Sequence, residues 1–239
     1  MGIGPGSFAD MSQRAADAIQ AAEVIVGYDT YLALISELVA GKETIGTGMM
    51  QEIDRSRAAV EAAQTGRKVA VVSSGDPGIY GMAGLVLELV LEQPEEVRPE
   101  VEIVPGISAV SAAAAILGAP LMHDFAVISL SDLLTPWEVI EKRAEMAAAG
   151  DFVIALYNPK STRRTSQIEK VREILLRHRP ATTPVGIVRQ ASRPGQSITL
   201  SNLDEFTGEE IDMFSLVIIG NSQTFIRDGL MVTPRGYTL

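Results

Sequence analysis

The stretch that decides the fold is Lys68-Val69-Ala70-Val71-Val72-Ser73-Ser74-Gly75-Asp76-Pro77-Gly78-Ile79-Tyr80-Gly81. It begins with apolar, mostly β-branched residues, which are typical of a parallel strand that is buried on both faces. Glycine and proline then favour a tight loop in which backbone amides and the Asp76 carboxylate can approach a ligand. From Ile79 to Leu91 apolar residues recur at helical spacing. Strand, loop and helix in this order predict a binding site for a small polar molecule, although the loop alone is equally compatible with an ordinary turn.

The same alternation continues along the chain. The strand-like runs are 24–26, 69–72, 101–104, 125–130, 152–156, 185–188 and 216–219, and the helical patterns are 12–22, 51–65, 79–92, 107–117, 136–148 and 164–177. We therefore predict an α/β fold. Pro120 follows the end of a predicted helix and prevents its continuation. We place a boundary there, between an N-terminal domain (1–120) and a C-terminal domain (121–239).

The N-terminal stretch Gly2-Ile3-Gly4-Pro5-Gly6-Ser7 has the composition of a loop that follows a first parallel strand. Only Met1 precedes it, so we expect the first strand of the N-terminal domain to be missing or truncated. A dinucleotide fingerprint is a weak alternative, because Ser7 stands where the third glycine belongs and Pro5 lacks the amide that a pyrophosphate would need. A nicotinamide-dependent oxidoreductase is therefore disfavoured.

Composition narrows the classes of protein and partner. The 239 residues have a formal net charge of −10, no cysteine and two histidines. Disulfides, thiolate catalysis and cysteine-ligated zinc are excluded, and we expect no protein-held metal. The acidic balance and the lack of a basic stripe argue against nucleic-acid and membrane partners. The stretch 107–122 is too short and interrupted for a membrane span, and no signal-peptide pattern is present, so we expect a cytoplasmic protein.

Five loops, four of which follow strand-like runs, together carry a resemblance to a known family. They are Gly4-Pro5-Gly6, Ser74-Gly75-Asp76-Pro77, Val104-Pro105-Gly106-Ile107-Ser108-Ala109, Leu156-Tyr157-Asn158-Pro159 and Ile187-Val188-Arg189-Gln190-Ala191-Ser192-Arg193. In order and spacing they resemble the tetrapyrrole methylase family of S-adenosylmethionine-dependent methyltransferases, over essentially the whole chain. Further segments, 27–31, 47–49, 73–89, 122–125, 129–137 and 217–223, look like one branch of that family. That branch methylates carbon 17 of precorrin-3B or of cobalt-factor III during cobalamin synthesis, and it contracts the ring to give precorrin-4 or cobalt-precorrin-4.

The resemblance implies a two-domain tetrapyrrole methylase fold with the cofactor cleft between the domains. It also implies S-adenosylmethionine as cofactor, S-adenosylhomocysteine as product, a tetrapyrrole substrate and a homodimer. Carried over position by position, the cofactor-binding residues are Pro5, Ser74, Gly75, Asp76, Ile79, Ser108, Ala109, Asn158 and Ala191. The cofactor needs backbone donors and acceptors together with one acid such as Asp76, so these residue types suit it.

Candidate catalytic and substrate-binding residues lie in the second half of the chain. Ring contraction requires a macrocycle hydroxyl to lose a proton, and His123 is our candidate general base because the pKa of an unperturbed histidine lies near neutrality. The alternative is a structural histidine that pairs with Asp124 or a loop carbonyl. The substrate carries several carboxylates, so we predict that it binds basic side chains near strand ends and two polar residues of the resembling segment. These residues are Lys160, Arg163, Arg164, Arg189 and Arg193, with Ser129 and Asp132.

Two other functions stay open. Another corrinoid methylase that acts at a different ring carbon would share the fold, and the segment 129–137 is the reason for ranking it second. A non-catalytic tetrapyrrole carrier would not need intact cofactor loops, yet all of these loops are present. The sequence leaves open whether the substrate contains cobalt.

Overall fold

The structure is a computed structural model that describes residues 1–48 and 50–238. Met49, part of the segment 47–49 quoted above, lies outside the described residues. The chain divides into two compact units, Met1–Ala109 and Val110–Leu239. The predicted boundary at 118–121 lies one helix later in the chain, and the placement of the domain boundary stays a prediction. No helix in the described part of the chain is long and apolar enough to cross a membrane.

The first unit is built around a small parallel sheet. Its elements are α1 (Gln13–Ala21), β1 (Val24–Tyr28), α2 (Asp29–Leu34), β2 (Glu43–Thr47), α3 (Glu52–Gln64), β3 (Val69–Val71) and α4 (Ala83–Leu91). The strand order is β2-β1-β3, with both pairs parallel. The central strand β1 is buried along Val24–Gly27 because sheet neighbours flank it and helices cover its faces. The loops that follow β2 and β3 therefore lie at one edge of the sheet.

The N-terminal residues pair with the loop that follows β3. The Ile3 amide donates to the Ser73 carbonyl at 2.9 Å, and the Ser73 amide donates to the Met1 carbonyl at 2.9 Å. On its other side this segment makes one bond, from the Gly2 amide to the Val104 carbonyl at 2.9 Å. The prediction of a strand at 101–104 was wrong. A single backbone hydrogen bond, at Val104, does not make a β-ladder.

The second unit contains a larger mixed sheet and a small one. Its elements are α5 (Ala109–Leu117), β4 (Gly118–Ala119), β5 (Phe125–Ser129), α6 (Trp137–Ala149), β6 (Val153–Tyr157), α7 (Gln167–Leu176), β7 (Pro184–Arg189), β8 (Ser197–Asn202), β9 (Ser215–Ile219), β10 (Phe225–Arg227) and β11 (Leu230–Val232). The main order is β5-β6-β9-β7-β8, in which only β5 and β6 are parallel. The fully buried strand β9 lies at its centre, and the small sheet has the order β10-β11-β4. The predicted α/β class is confirmed.

The element boundaries show where local sequence patterns were insufficient. Helix α4 begins at Ala83, because Tyr80 has a φ of +54° and the Ala83 amide bonds back to the Pro77 carbonyl at 3.0 Å. A residue in the left-handed region ends a regular helix, so the apolar periodicity from Ile79 includes a loop. Strands β2 and β8 were missed because both are polar strands at sheet edges, where one face and one edge meet solvent.

Candidate functional site

Three loops of the first unit approach each other backbone to backbone. The Gly75 amide donates to the Gly4 carbonyl at 2.7 Å, and the Gly4 amide returns a bond to the Gly75 carbonyl at 3.2 Å. A Cβ atom added at Gly2 or at Gly106 would lie closer than 3.0 Å to the Gly75 carbonyl oxygen. Gly75 itself has a φ of +67°, which disfavours any side chain. Only glycine fits where these loops meet.

The Asp76 carboxylate joins two of those loops. Its Oδ1 accepts from the Gly78 amide at 2.8 Å, and its Oδ2 accepts from the Gly106 amide at 3.0 Å. An ionised carboxylate has about four acceptor positions. Asp76 therefore fixes the loop after β3 to the segment that leads into α5 and still has acceptor capacity for a ligand.

The structure brings several predicted cofactor residues together in the first unit. The Cβ position of Gly75 lies 3.5 Å from the Ala109 amide nitrogen and 3.7 Å from the Ser108 Cα. Ser108 is buried, whereas Ile79 is 38% exposed in the loop after β3. Pro5 and Ser74 belong to the same loops. Backbone amides and carbonyls, one carboxylate and a buried hydroxyl suit a small polar ligand such as S-adenosylmethionine.

A cavity of about 120 Å³ also lies in the first unit, but its walls suit a different chemistry. It is lined mainly by hydrocarbon side chains, among them Val69, Val71, Val86 and Val101. A zwitterionic cofactor needs polar partners that such walls do not offer. The predicted cofactor residues Gly75, Asp76 and Ser108 are outside this cavity.

In the second unit, Asn158 lies at the centre of a side-chain network. It follows β6 with a φ of +49°, and its Nδ2 donates to the Ser129 Oγ at 3.0 Å. Its carbonyl accepts from the Arg164 guanidinium at 2.6 Å. Burial lowers the pKa of Arg164, and the charge of Asp132 partly opposes that shift. Asp132 in turn accepts from the Gln167 side chain at 2.8 Å. The structure therefore joins the predicted cofactor residue Asn158 to the predicted substrate residue Ser129, and the roles of both stay predictions.

Arg189 is already matched by two carboxylates. Its Nε donates to the Asp212 Oδ2 at 2.6 Å, and its Nη1 lies 3.2 Å from the Glu210 Oε1. The hydrogen bond that Arg189 donates to Asp212 raises the pKa of Arg189. Burial alone would raise the pKa of Asp212, but hydrogen bonds from Arg189, Phe214 and Ser215 hold it below its ordinary value. Arg189 is therefore a weaker candidate for substrate carboxylates than its position at the end of β7 indicates.

The other predicted basic residues lie in two loops of the second unit. Lys160 is partly buried and Arg163 is exposed, in the loop after β6. In the loop after β7, Ala191 stands between Gln190 and Ser192, which have φ values of +51° and +57°. The Arg193 amide donates to the Gln190 carbonyl at 3.0 Å and closes that turn. Strained backbone of this kind is concentrated at functional sites in proteins, and here it follows β6 and β7.

His123 makes a local hydrogen bond that bears on its predicted role. Its Nδ1 accepts from the Asp124 amide at 2.9 Å and lies 3.7 Å from the Asp124 Oδ2, and the side chain is about half exposed. This bond favours the neutral tautomer with its proton on Nε2. To accept a proton, the ring must release this bond or turn. The structure matches the structural alternative at least as well, and catalysis by His123 stays a prediction.

The sequence did not reveal two buried arginines, Arg55 and Arg179, or the network around Asn158. Arg55 on α3 is almost fully buried. Its position on the same helix face as the buried Ala59 could have indicated this from the sequence. The strained residues Tyr80, Asn158, Gln190 and Ser192 had no signal beyond their position after a strand. Among the described residues, no group of three or more His, Cys, Asp or Glu side chains is arranged to hold a metal ion.

Comparison with known proteins gives consistent matches. Residues 1–207 match the model of the family described as tetrapyrrole (corrin/porphyrin) methylases. The chain is 54% identical over 239 residues to the probable cobalt-factor III C(17)-methyltransferase of Salmonella typhimurium, covering 98% of that protein. It is 52% identical to the cobalt-factor III methyltransferase of Priestia megaterium, and this match covers 99% of the chain but 44% of that longer protein.

A solved structure matches nearly the whole chain. The crystal structure of the methyltransferase CobJ superposes with a TM-score of 0.92 at 41% sequence identity. The match covers 98% of this chain and 97% of that one. The predicted family and fold are confirmed, whereas the site residues and the predicted location of the cofactor between the domains stay predictions.

Proposed function

Because the chain belongs to the tetrapyrrole (corrin/porphyrin) methylases, we propose that it is an S-adenosylmethionine-dependent methyltransferase of cobalamin synthesis. It methylates carbon 17 of cobalt-factor III or of precorrin-3B and contracts the macrocycle. The observation that carries this proposal is the 54% identity to the Salmonella relative over 98% of that protein's length.

The first unit provides the main cofactor contacts in this proposal. Gly75, Ser108 and Ala109 present backbone to the ligand, and Asp76 offers its remaining lone pairs to a cofactor hydroxyl or ammonium. When bound, S-adenosylmethionine supplies an electrophilic methyl group on its sulfonium sulfur. The glycine backbone leaves no room for other side chains, so these loops hold the ligand in one orientation, which is the main requirement of methyl transfer.

The second unit contributes polar and basic groups toward the tetrapyrrole. Lys160, Arg163 and Arg193, on the loops that follow β6 and β7, are the proposed partners of substrate carboxylates. Arg189 is a weaker candidate because it pairs with Asp212 and Glu210. Ser129 and Asp132 are the proposed polar contacts of the substrate, and the predicted cofactor residue Asn158 donates to Ser129. Charged hydrogen bonds of this type fix the orientation of a polycarboxylate substrate.

Ring contraction needs a group that accepts a proton from a macrocycle hydroxyl, and His123 is the proposed base. Its ring must release the Asp124 amide so that an unprotonated nitrogen faces the substrate. His123→Ala is then expected to bind cofactor and to methylate, while formation of contracted product falls by roughly 10²–10⁴-fold. His178→Ala is the matched control, because His178 pairs with Glu145 on the surface of α6.

The function is tested by turnover on both macrocycles. Purified protein is incubated with S-adenosylmethionine and either cobalt-factor III or precorrin-3B, and products are followed by mass spectrometry and absorbance. Gain of one methyl group with a contracted chromophore supports the proposal and identifies the preferred substrate. Binding of both macrocycles without methyl transfer would instead indicate a tetrapyrrole carrier. Calorimetry with S-adenosylhomocysteine and with NAD separates the methyltransferase from an oxidoreductase.

A homodimer and a cytoplasmic location complete the proposal. Sedimentation of the purified chain tests the first, and fractionation of the producing cell tests the second. Methylation at another ring carbon is the alternative within the family, and the position of the new methyl group decides between the two.

A further inference from the structure

Arg55 is a buried charge whose ion pair with a carboxylate is long and partly exposed. Its side chain is 4% exposed, and the nearest acid that it meets is Glu52, with the Nη2 and Oε1 atoms 3.7 Å apart. Glu52 lies near the start of α3 and is 46% exposed. Burying a guanidinium that is paired this weakly opposes folding stability. A role beyond packing would explain why arginine occupies this position.

The contacts of Arg55 join the loops after two different strands. Its Nη1 donates to the Thr47 Oγ1 at 2.6 Å and to the Gly48 carbonyl at 3.3 Å, at the end of β2. Its Nη2 lies 3.7 Å from the Met82 sulfur, immediately before α4. Since β2 and β3 flank β1, one side chain connects the loops on both sides of the central strand.

The loop on the Met82 side is the candidate cofactor loop. The Met82 amide donates to the Ser73 Oγ at 3.2 Å, so both ends of the segment 73–82 are tied together. That segment includes Gly75, Asp76 and Ile79. On the other side, the Gly48 amide donates to the Gln51 Oε1 at 2.9 Å, and Gln51 directly precedes α3.

We propose that Arg55 is a positioning residue of the methyl-transfer site, which holds the loop after β2 and the cofactor loop after β3 in a fixed relation. This inference rests on the proposed function, because it takes the segment 73–82 as a cofactor-binding loop. Arg55 acts through Thr47, Gly48 and Met82 and does not touch the reacting atoms.

The test compares Arg55→Met with Arg57→Met. Methionine keeps most of the side-chain volume and removes the charge and donors, and Arg57 is an exposed residue two positions along the same helix. Arg55→Met should bind S-adenosylhomocysteine about tenfold more weakly, and its kcat/KM should fall roughly 10- to 100-fold, as for other small displacements of binding groups. Amide hydrogen exchange in the segment 73–82 should be faster in Arg55→Met than in wild type. In Arg57→Met, the S-adenosylhomocysteine affinity and kcat/KM should stay within about twofold of wild type.

Thr47 provides a second, milder test that does not disturb the buried charge directly. Thr47→Val removes the hydroxyl acceptor at constant shape and should weaken S-adenosylhomocysteine binding, whereas Thr47→Ser keeps an acceptor and should restore it. The double variant Arg55→Met/Thr47→Val should bind S-adenosylhomocysteine no more weakly than Arg55→Met alone, because both changes break the same hydrogen bond.

Several outcomes would overturn the inference. A folded Arg55→Met protein with unchanged S-adenosylhomocysteine affinity, unchanged KM and a lower Tm would make Arg55 purely structural. If Arg55→Met fails to fold, equal affinities of Thr47→Val and Thr47→Ser would refute the positioning role. Failure of the wild type to bind S-adenosylhomocysteine would refute the proposed function, and unchanged amide exchange in Arg55→Met would refute the link between the loops.

Discussion

The two units are built differently around the loop that follows one strand of each, β3 in the first unit and β6 in the second. In the first unit the loops meet through backbone, with Gly2, Gly75 and Gly106 in direct approach and the Asp76 carboxylate joining two of them. In the second unit the corresponding region is a network of side chains around Asn158, held by Ser129 and Arg164. In the first unit an added Cβ atom would clash with neighbouring backbone. In the second unit the loss of a hydrogen-bonding side chain would break the network.

This difference indicates a division of roles. A backbone-built site presents a fixed set of amides and carbonyls, which suits a cofactor that is the same in every turnover. A side-chain network places charges and polar groups at chosen positions, which suits recognition of one substrate among similar ones. We therefore expect substitutions in the first unit to change cofactor affinity. Substitutions in the second unit should change substrate affinity, except at the predicted cofactor residues Asn158 and Ala191.

The largest effect is expected from Gly106→Ala. The added Cβ would lie closer than 3.0 Å to the Gly75 carbonyl, so the backbone must move. We expect about 100-fold weaker S-adenosylhomocysteine binding and a loss of about 1–3 kcal/mol of unfolding free energy. Calorimetry and chemical denaturation measure the two quantities. Gly84→Ala is the control, because its Cβ would meet open space within α4, and unchanged binding by Gly106→Ala would contradict the backbone-built site.

The next largest effect is expected from Asp76→Ala. It removes the acceptor of the Gly78 and Gly106 amides and should weaken S-adenosylhomocysteine binding by roughly 1–3 kcal/mol. Asp76→Asn keeps one acceptor but presents a donor to the other amide, so it should recover only part of that loss. Affinities equal to wild type in folded Asp76→Ala would remove Asp76 from the site.

Asn158→Ala tests the side-chain network of the second unit. It loses the bond to Ser129 and places alanine at a φ of +49°, which together should reduce the unfolding free energy by about 1–2 kcal/mol. Asn158→Gly removes the same bond without backbone strain and should be less destabilising. If alanine and glycine are equally destabilising, the strained backbone of Asn158 has no energetic role. Because Asn158 is also a predicted cofactor-binding residue, the KM for S-adenosylmethionine should rise in both variants.

The smallest effect concerns acid stability. Asp212 has a lowered pKa in the folded state, so its contribution is present above the ordinary value of 3.8 and is lost as pH falls through the lower folded value. Because the pair is partly exposed, the contribution should be about 1 kcal/mol or less. Denaturation of wild type and Asp212→Asn should differ at pH 7 and converge below pH 3.8. A constant difference across that range would mean that the carboxylate charge is irrelevant to stability.

The sequence predicted the elements whose apolar pattern is decided locally. The buried strands at 24–26, 185–188 and 216–219 were found because β-branched runs between turn residues have few other uses. The edge strands β2 and β8 were missed because their stability depends on neighbours rather than on their own residues. The start of α4 was placed too early because the conformation of Tyr80 is imposed by the loop.

The position of the candidate site could be predicted from the sequence, but the contacts between its residues could not. Gly75 and Asp76 were identifiable because glycine, proline and a carboxylate follow a buried strand. That Asp76 binds the distant Gly106 amide, or that Arg55 reaches both Thr47 and Met82, depends on contacts far apart in the chain. The position of Arg189 at a strand end indicated an available charge, but the sequence did not show that Asp212 and Glu210 pair with it. Its role toward the substrate stays a prediction.

The central claim is that this chain transfers a methyl group to carbon 17 of a corrin precursor. The most direct measurement uses S-adenosylmethionine with a ¹³C-labelled methyl group and locates the label in the product by NMR, after turnover of cobalt-factor III or precorrin-3B. We expect one labelled methyl group on carbon 17 of a ring-contracted product. A label on any other ring carbon, or no label in either macrocycle under conditions where S-adenosylhomocysteine binds, would contradict it.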